Sequence, residues 1–498
     1  MPVFKDISRR TALLGLGGLA GWGLSSGLRP DLPIYEGTRK LATPNGGKVL
    51  NDASGLSATP INKHLIVRDN PGDALVELIR QELRLARDEG RPVCVGAARH
   101  SMGGQAIPRD GTAVTFDNGS IELDSGKETF QVHAGARWSQ VIAALDPAGW
   151  SPKVMQSNHD FGVAATFSVN AHGWPVPYGP MGATVSSMRM VLPSGDLITC
   201  SPAENPELFN HAMGGYGLMG IIIDMEVDMV RNSRLEPTIE VMPAEMFAAA
   251  FDRKVKDPKV KMAYGRLNVE RESFFTNALM VTYQESSDQS DLPPATGSGW
   301  MAHVASRLYR MQLGNEAFKS FRWWNETVLG PMLGSGPVTR NSLINEPVIT
   351  LDDRNPNRVD ILHEYFVGFD KFPEFLQICR DTIPASYQEF LNVTLRFVDQ
   401  DDQSTLSYAK VPRIAAVMSF SQELTARAEA DMSRMTRELI GKISEIGGAY
   451  YLPYRPHATL GQLQDTYPKS PIFAKAKREI DRDLILRNNL WDSYLVKL

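Results

Sequence analysis

Val93-Cys94-Val95-Gly96-Ala97-Ala98-Arg99-His100-Ser101-Met102-Gly103-Gly104-Gln105 decides how this chain is read. A short apolar strand runs into a loop of small residues that carries one histidine between Arg99 and Ser101. Small residues let backbone N–H groups approach a ligand closely, and successive N–H groups form an anion-binding nest. A histidine there is placed to lie beside the ring of a cofactor rather than its phosphates. The preceding residues complete a βαβ unit: a strand at Leu65-Ile66-Val67-Arg68, a helix from about Pro71 to Glu89, and a strand at Pro92–Val95. Asp73 supplies the first-turn acid expected at a helix start.

A second small-residue segment follows, Asn158-His159-Asp160-Phe161-Gly162-Val163-Ala164-Ala165-Thr166-Phe167-Ser168-Val169-Asn170-Ala171-His172-Gly173. Its hydroxyls and amide, with little bulk, suit a backbone laid along a long polar ligand. Val185–Ile198 reads as a hairpin turning at Pro193-Ser194-Gly195-Asp196. A short helix at Leu208-Phe209 precedes Gly214-Gly215-Tyr216-Gly217-Leu218-Met219-Gly220, which feeds an Ile221-Ile222-Ile223 strand. Gly215, Gly217 and Gly220 are a Gly-x-Gly-x-x-Gly run, but it opens a strand rather than a helix, which disfavours a Rossmann fold.

The order of these pieces over about 58–233 resembles the vanillyl-alcohol-oxidase-type FAD-binding fold. That resemblance implies an α+β chain: a two-subdomain FAD-binding domain at 58–233, and an α+β substrate domain at 234–455 with an antiparallel sheet over the flavin. A closing segment, 456–498, would pack back on the FAD domain. The cofactor contacts implied are Gly96, Ala97, Ala98, Arg99, His100, Ser101, Gln105, Gly162, Val163, Thr166, Ser168, Asn170, His172, Gly173, Gly220, Ile221 and Ile222. In many members the histidine before Ser carries FAD covalently, which here is His100. The nearest likeness is to alditol-oxidase-like and sugar-lactone-oxidising members; the His-Ser-x-x-x-Gln spacing is shared with cytokinin dehydrogenases. Lipid-linked-sugar oxidases of the decaprenylphosphoryl-ribose type are an alternative, but they usually lack the loop histidine. A non-catalytic exported flavoprotein is the third reading.

Composition fits a multidomain globular enzyme: 498 residues, 43% hydrophobic, 22% charged, net charge −5. The mild negative charge argues against nucleic-acid binding. Cys94, Cys200 and Cys379 are widely spaced, so neither a disulfide framework nor a metal site is expected. Ser8-Arg9-Arg10-Thr11 before the apolar Ala12–Leu24 run resembles a twin-arginine signal within residues 1–30, which implies the translocation machinery as a partner and a periplasmic or otherwise exported protein. Residues 31–57 read as an extended lead-in.

Beyond 233, strands are expected at Leu235–Val241, Lys261–Val269, Ala278–Gln284, Asp360–Phe369, Gln388–Val398 and Ile414–Ser421. Helices are expected at Ala244–Arg253, Trp300–Gly334, Pro373–Thr382 and Glu423–Ile446. Alternation puts Asn392, Thr394 and Arg396 on one strand face. An arginine there suits an oxygen-rich substrate or an anionic reduced flavin. The alditol-oxidase pattern carries Glu-x-Arg on this strand; this chain keeps Arg396 but has Thr394 at the Glu position. His363 and Glu364 point to opposite faces, and Tyr365 shares the face of His363. Arg455-Pro456-His457 resembles the family's Arg-Pro-His segment. His457 is the first acid/base candidate, with Glu364 and Tyr365 behind it, for removing a hydroxyl proton while a hydride leaves the adjacent carbon. A small-molecule substrate and an electron acceptor, oxygen, quinone or another, are the remaining partners.

Overall fold

The computed structural model describes residues 48–68, 73–117, 119–295, 309–329, 332, 336–348 and 357–498. The twin-arginine segment, the lead-in before residue 48 and the first part of the expected 300–334 helix lie outside the described residues. The chain is α+β. Its first element is a three-stranded parallel sheet in which Thr112–Phe116 lies between Lys63–Val67 and Val93–Val95. The Asp73–Glu89 helix covers it because Leu75, Val76, Ile79, Leu83 and Ala86 recur at three- and four-residue spacing, all buried.

A second, antiparallel sheet orders Leu197–Cys200, Val185–Val191, Ile221–Arg231, Thr129–His133 and Ile121–Asp124, with Trp150–Pro152 pairing the end of the long strand. The expected hairpin is present, Leu197 opposite Val191. A Trp138–Leu145 helix, unforeseen from the sequence, buries Trp138, Val141, Ile142 and Leu145. It is short, and its N-cap is Arg137 rather than one of the small oxygen-bearing residues that announce a helix start.

The third sheet has eight antiparallel strands, in the order Val338–Thr339, Arg234–Pro243, Asn277–Glu285, Val260–Leu267, Glu389–Val398, Arg413–Glu423, Arg358–Val367 and Ala449–Tyr450. Strand alternation gives it two distinct faces. On one, helices Ala244–Val255, Phe372–Thr382 and Ala426–Glu445 bury Phe247, Phe251, Phe372, Phe375, Met435 and Leu439. Glu423 ends a strand instead of opening the last of these helices, because Thr425 caps it by accepting from the Ala428 N–H. The lead-in also holds a strand: Lys48–Leu50 pairs with Thr59–Ile61. The closing residues return to the first sheet, where Val93 bridges Leu486.

On the helix-covered face, His363 is buried with its ring 5.0 Å from Phe420, and Thr436 lies between it and His457. Burial, with His457 and Arg455 adding to it, pushes the His363 pKa down to about 3. The unfolded chain takes up a proton at the ordinary value of 6.5 that the folded chain refuses until about 3. Stability from this site is therefore full above the unfolded value and is lost as pH falls between the two. The urea midpoint should drop across that window, and His363→Gln should make the drop shallower; an unchanged slope would contradict the assignment.

Candidate functional site

Between the small-residue loops and the uncovered face of the eight-stranded sheet lies a cavity of about 1490 Å³, counted to its open mouth. One wall is built from Gly96, Ala97, Ala98, Arg99, His100, Ser101 and Gln105, from Gly162, Thr166, Ser168 and His172, and from Gly220, Ile221 and Ile222. The opposite wall brings in Leu362, Glu364, Val417 and Arg396 from three adjacent strands, with Tyr451 and Tyr454 from the segment that follows the sheet's last strand.

The small residues have steric reasons. A Cβ at Gly162 would lie 2.7 Å from the Ala97 Cβ, so the two loops approach as closely as they do only because one lacks a side chain. Arg99 adopts φ +55°, and its guanidinium turns under the loop to donate to Thr115 Oγ1 at 2.9 Å. The His100 ring lies 4.3 Å from that of Phe161, and burial is the main cause of its lowered pKa, opposed by Asp160. The imidazole is thereby held in the neutral form whose nitrogen has a free lone pair.

Several expected contacts are not in the cavity wall. The stretch expected to lay its backbone along the ligand contains a short helix, Val163–Ser168, and Val163 is buried in the core with no exposure. Thr166 does reach the wall, but its hydroxyl already serves Trp138, Gln156 and Gly162. Asn170 is a fastener: its side chain accepts from the Gly182 N–H and donates to Asp401 at 3.0 Å. Gly173 lies against the Met155 carbonyl, which a Cβ would meet at 1.8 Å.

Two acid/base candidates also lie elsewhere. Tyr365 is buried on the helix-covered face, its hydroxyl 3.4 Å from His363 Nδ1. His457 is on that side too: its Nε2 is 2.9 Å from Glu429 Oε1, with Thr436 at 3.3 Å from Nδ1. Alternation along the Arg358–Val367 strand explains Tyr365, since its neighbour Glu364 has the opposite face. Glu429, which Arg455 also binds, explains His457.

Glu364 and Arg396 do meet in the cavity. Glu364 bonds His172 Nε2 through Oε1 and accepts from the Tyr454 hydroxyl at 3.1 Å through Oε2. Arg396 donates to Ser157 Oγ at 2.7 Å, and its Nε is buried without a protein partner among the described residues. Burial lowers the Arg396 pKa, opposed by the charge of Glu364. Glu364 and Thr394 are both opposite Val417, so they occupy one cross-strand row. The carboxylate absent at Thr394 is present in that row two strands away, about 10 Å at normal strand spacing. Tyr454, Tyr451, Ser157 and Phe161 were not foreseen. The aromatic run Tyr450-Tyr451-Leu452-Pro453-Tyr454 just after Gly447-Gly448 was the available signal for the tyrosines.

Residues 76–201 match the FAD binding domain family. The chain carries an FAD-binding domain. D-arabinono-1,4-lactone oxidase of Yarrowia lipolytica is 27% identical over 190 residues, 36% of this chain and 35% of that protein. L-gulonolactone oxidase of Bos taurus is 23% identical over 263 residues, 52% of this chain and 55% of that protein. Cytokinin dehydrogenase 1 of Arabidopsis thaliana is 26% identical over 167 residues, 32% and 29% respectively. The matches thus span only about a third to a half of these relatives' lengths.

The cavity fits the cofactor. On its first wall Gly96, Ala97, Ala98, Gly162 and Gly220 let the backbone come close to a ligand, and Arg99 and Arg396 each keep a buried guanidinium nitrogen without a protein partner among the described residues. Bulk in that wall should exclude the flavin. Gly162→Val is expected to lower the flavin content of purified protein at least tenfold, read from the absorbance near 450 nm, with the far-ultraviolet circular dichroism of the native fold. Full flavin content in that variant would show that the cofactor does not use this wall.

Proposed function

We propose that this protein is an exported FAD-dependent oxidoreductase. It removes a hydride from the CH–OH group of a sugar, polyol, lactone or hydroxy acid, with FAD tethered to His100. One observation carries the reading: the flavin-domain loops face Glu364, Arg396 and Tyr454 across a single cavity. Bound flavin supplies a two-electron acceptor at N5. The protein's residues supply the rest. Arg396 offers a fixed positive charge with an unfilled donor, suited to a carbonyl, ring or hydroxyl oxygen of the substrate. Ser157 holds the guanidinium in place. Glu364 is the carboxylate toward which a hydroxyl proton moves. Sugar lactones are the first substrates to try, because lactones are named in several of the relatives and the site is built for oxygen-rich molecules.

The tether is supported by the position of His100 in the wall and its neutral imidazole. Export is supported by Ser8-Arg9-Arg10-Thr11 and the apolar run behind it. The two fit together, since the translocation machinery moves folded proteins and a covalent cofactor would not be lost afterwards. Electrons would leave to oxygen, a quinone or another acceptor.

Two measurements test the proposal. In acid-precipitated protein the yellow colour should stay with the pellet, and in His100→Ala it should move to the supernatant; colour released from the native protein would remove the tether. Anaerobic mixing with D-arabinono-1,4-lactone, L-gulono-1,4-lactone, xylitol and gluconate should bleach the flavin with at least one of them. No bleaching by any member of a broad panel of such donors would overturn the hydroxyl-oxidation reading.

A further inference from the structure

We propose that Tyr454 is the residue that takes the substrate's hydroxyl proton, while its own phenolic proton passes to Glu364. This rests on the hydroxyl-oxidation reading above and assigns the proton's route within it. Glu364 is the obvious base, but its side chain is only 3% exposed, and each carboxylate oxygen already has a protein partner. His172 holds Oε1. Tyr454 holds Oε2, at 3.1 Å. Tyr454 is only partly buried and lines the cavity beside the carboxylate that it holds.

The turn that carries the phenol is fixed from several sides. Gln105 Nε2 donates to the Leu452 carbonyl at 2.7 Å and to the Tyr454 carbonyl at 3.0 Å. The Met102 N–H donates to the Pro453 carbonyl at 2.7 Å. The Tyr451 ring lies 5.7 Å away, and the Tyr451 hydroxyl is itself committed to the Val169 carbonyl at 2.7 Å. A phenol carried on a braced turn and bonded to Glu364 needs little reorganisation to act. His172 is equally committed. Its Nδ1 is buried without a partner among the described residues, so the ring meets the protein's polar groups only through the nitrogen that holds Glu364.

A tyrosine acting alone would be a poor base here. Burial and the neighbouring Glu364 charge push its pKa well above the ordinary value, with Arg396 opposing. A relay avoids forming phenolate as a resting state. The substrate O–H breaks as the Tyr454 O–H re-forms, and the original Tyr454 proton moves to Glu364 Oε2. The net change is one proton from substrate to Glu364. A bound flavin would accept the hydrogen on the adjacent carbon with its electron pair, which leaves a C=O bond in the product. Arg396, whose charge acts on Tyr454, stabilises the substrate oxygen as its proton departs.

The test uses the flavin-loaded protein and the donor that bleaches it. Tyr454→Phe should slow anaerobic flavin reduction about a hundredfold, the order expected when a positioned acid/base group is removed. Its affinity for the oxidised product, read as a perturbation of the flavin band, should stay within about threefold of the native value. Glu364→Gln should slow reduction by a similar factor, and the double variant should be no slower than either alone. Reduction within about threefold of native in Tyr454→Phe overturns the relay. So does a full-rate Glu364→Gln, which decides the matter if the phenylalanine variant loses its flavin. A native protein that no donor bleaches refutes the function reading and this proposal with it; a bleaching native protein beside a full-rate Tyr454→Phe refutes the relay alone.

Discussion

The hold of one glutamine amide on a distant turn is the contact on which the site depends. Gln105 belongs to the loop after the parallel sheet, yet its side chain binds carbonyls on either side of Pro453, nearly 350 residues on. Met102 adds a main-chain bond to the same turn, and Asn489 binds the Gly103 carbonyl. Together with the bonds of His172 to Glu364, Arg396 to Ser157 and Tyr451 to the Val169 carbonyl, they join the small-residue wall to the sheet side and enclose the cavity. Each bond is modest, but an amide left unpaired in this buried place would cost about 1–3 kcal/mol.

The flavin-binding half was legible because its signals are local. A strand, a loop of small residues and a hairpin turn each show in fewer than twenty consecutive residues, and their order carries the rest. The helix at Trp138–Leu145 escaped because nothing in its cap announces it. In the second half, alternation correctly placed Glu364 and Tyr365 on opposite faces, but it could not say which face looks at the cavity. Tertiary packing settles that: the Ala426–Glu445 helix covers the Tyr365 face.

His457 shows the limit of a motif read alone. The Arg-Pro-His run turns its histidine toward Glu429, while Tyr454, three residues earlier, enters the cavity. Asn170 is a related case. Its amide is as well suited to a ligand as to the protein, and only the fold shows that Asp401 and Gly182 already use it. Polar residues in a small-residue loop thus divide between holding the ligand and holding the loop, and sequence pattern does not separate the two.

The closing segment has a consequence for how the molecule is made. Lys477, wholly buried, donates to the Leu218 carbonyl and pairs with Asp481; Asn488 donates to the Tyr216 carbonyl; Leu486 bridges Val93. These bonds brace the glycine turn and the strand on which the flavin wall is built. The amino-terminal half of that wall is therefore unfinished when it leaves the ribosome. It acquires these supports only once residues 477–488 have emerged, so cofactor capture waits on a segment 259 or more residues away from the glycine turn that it braces.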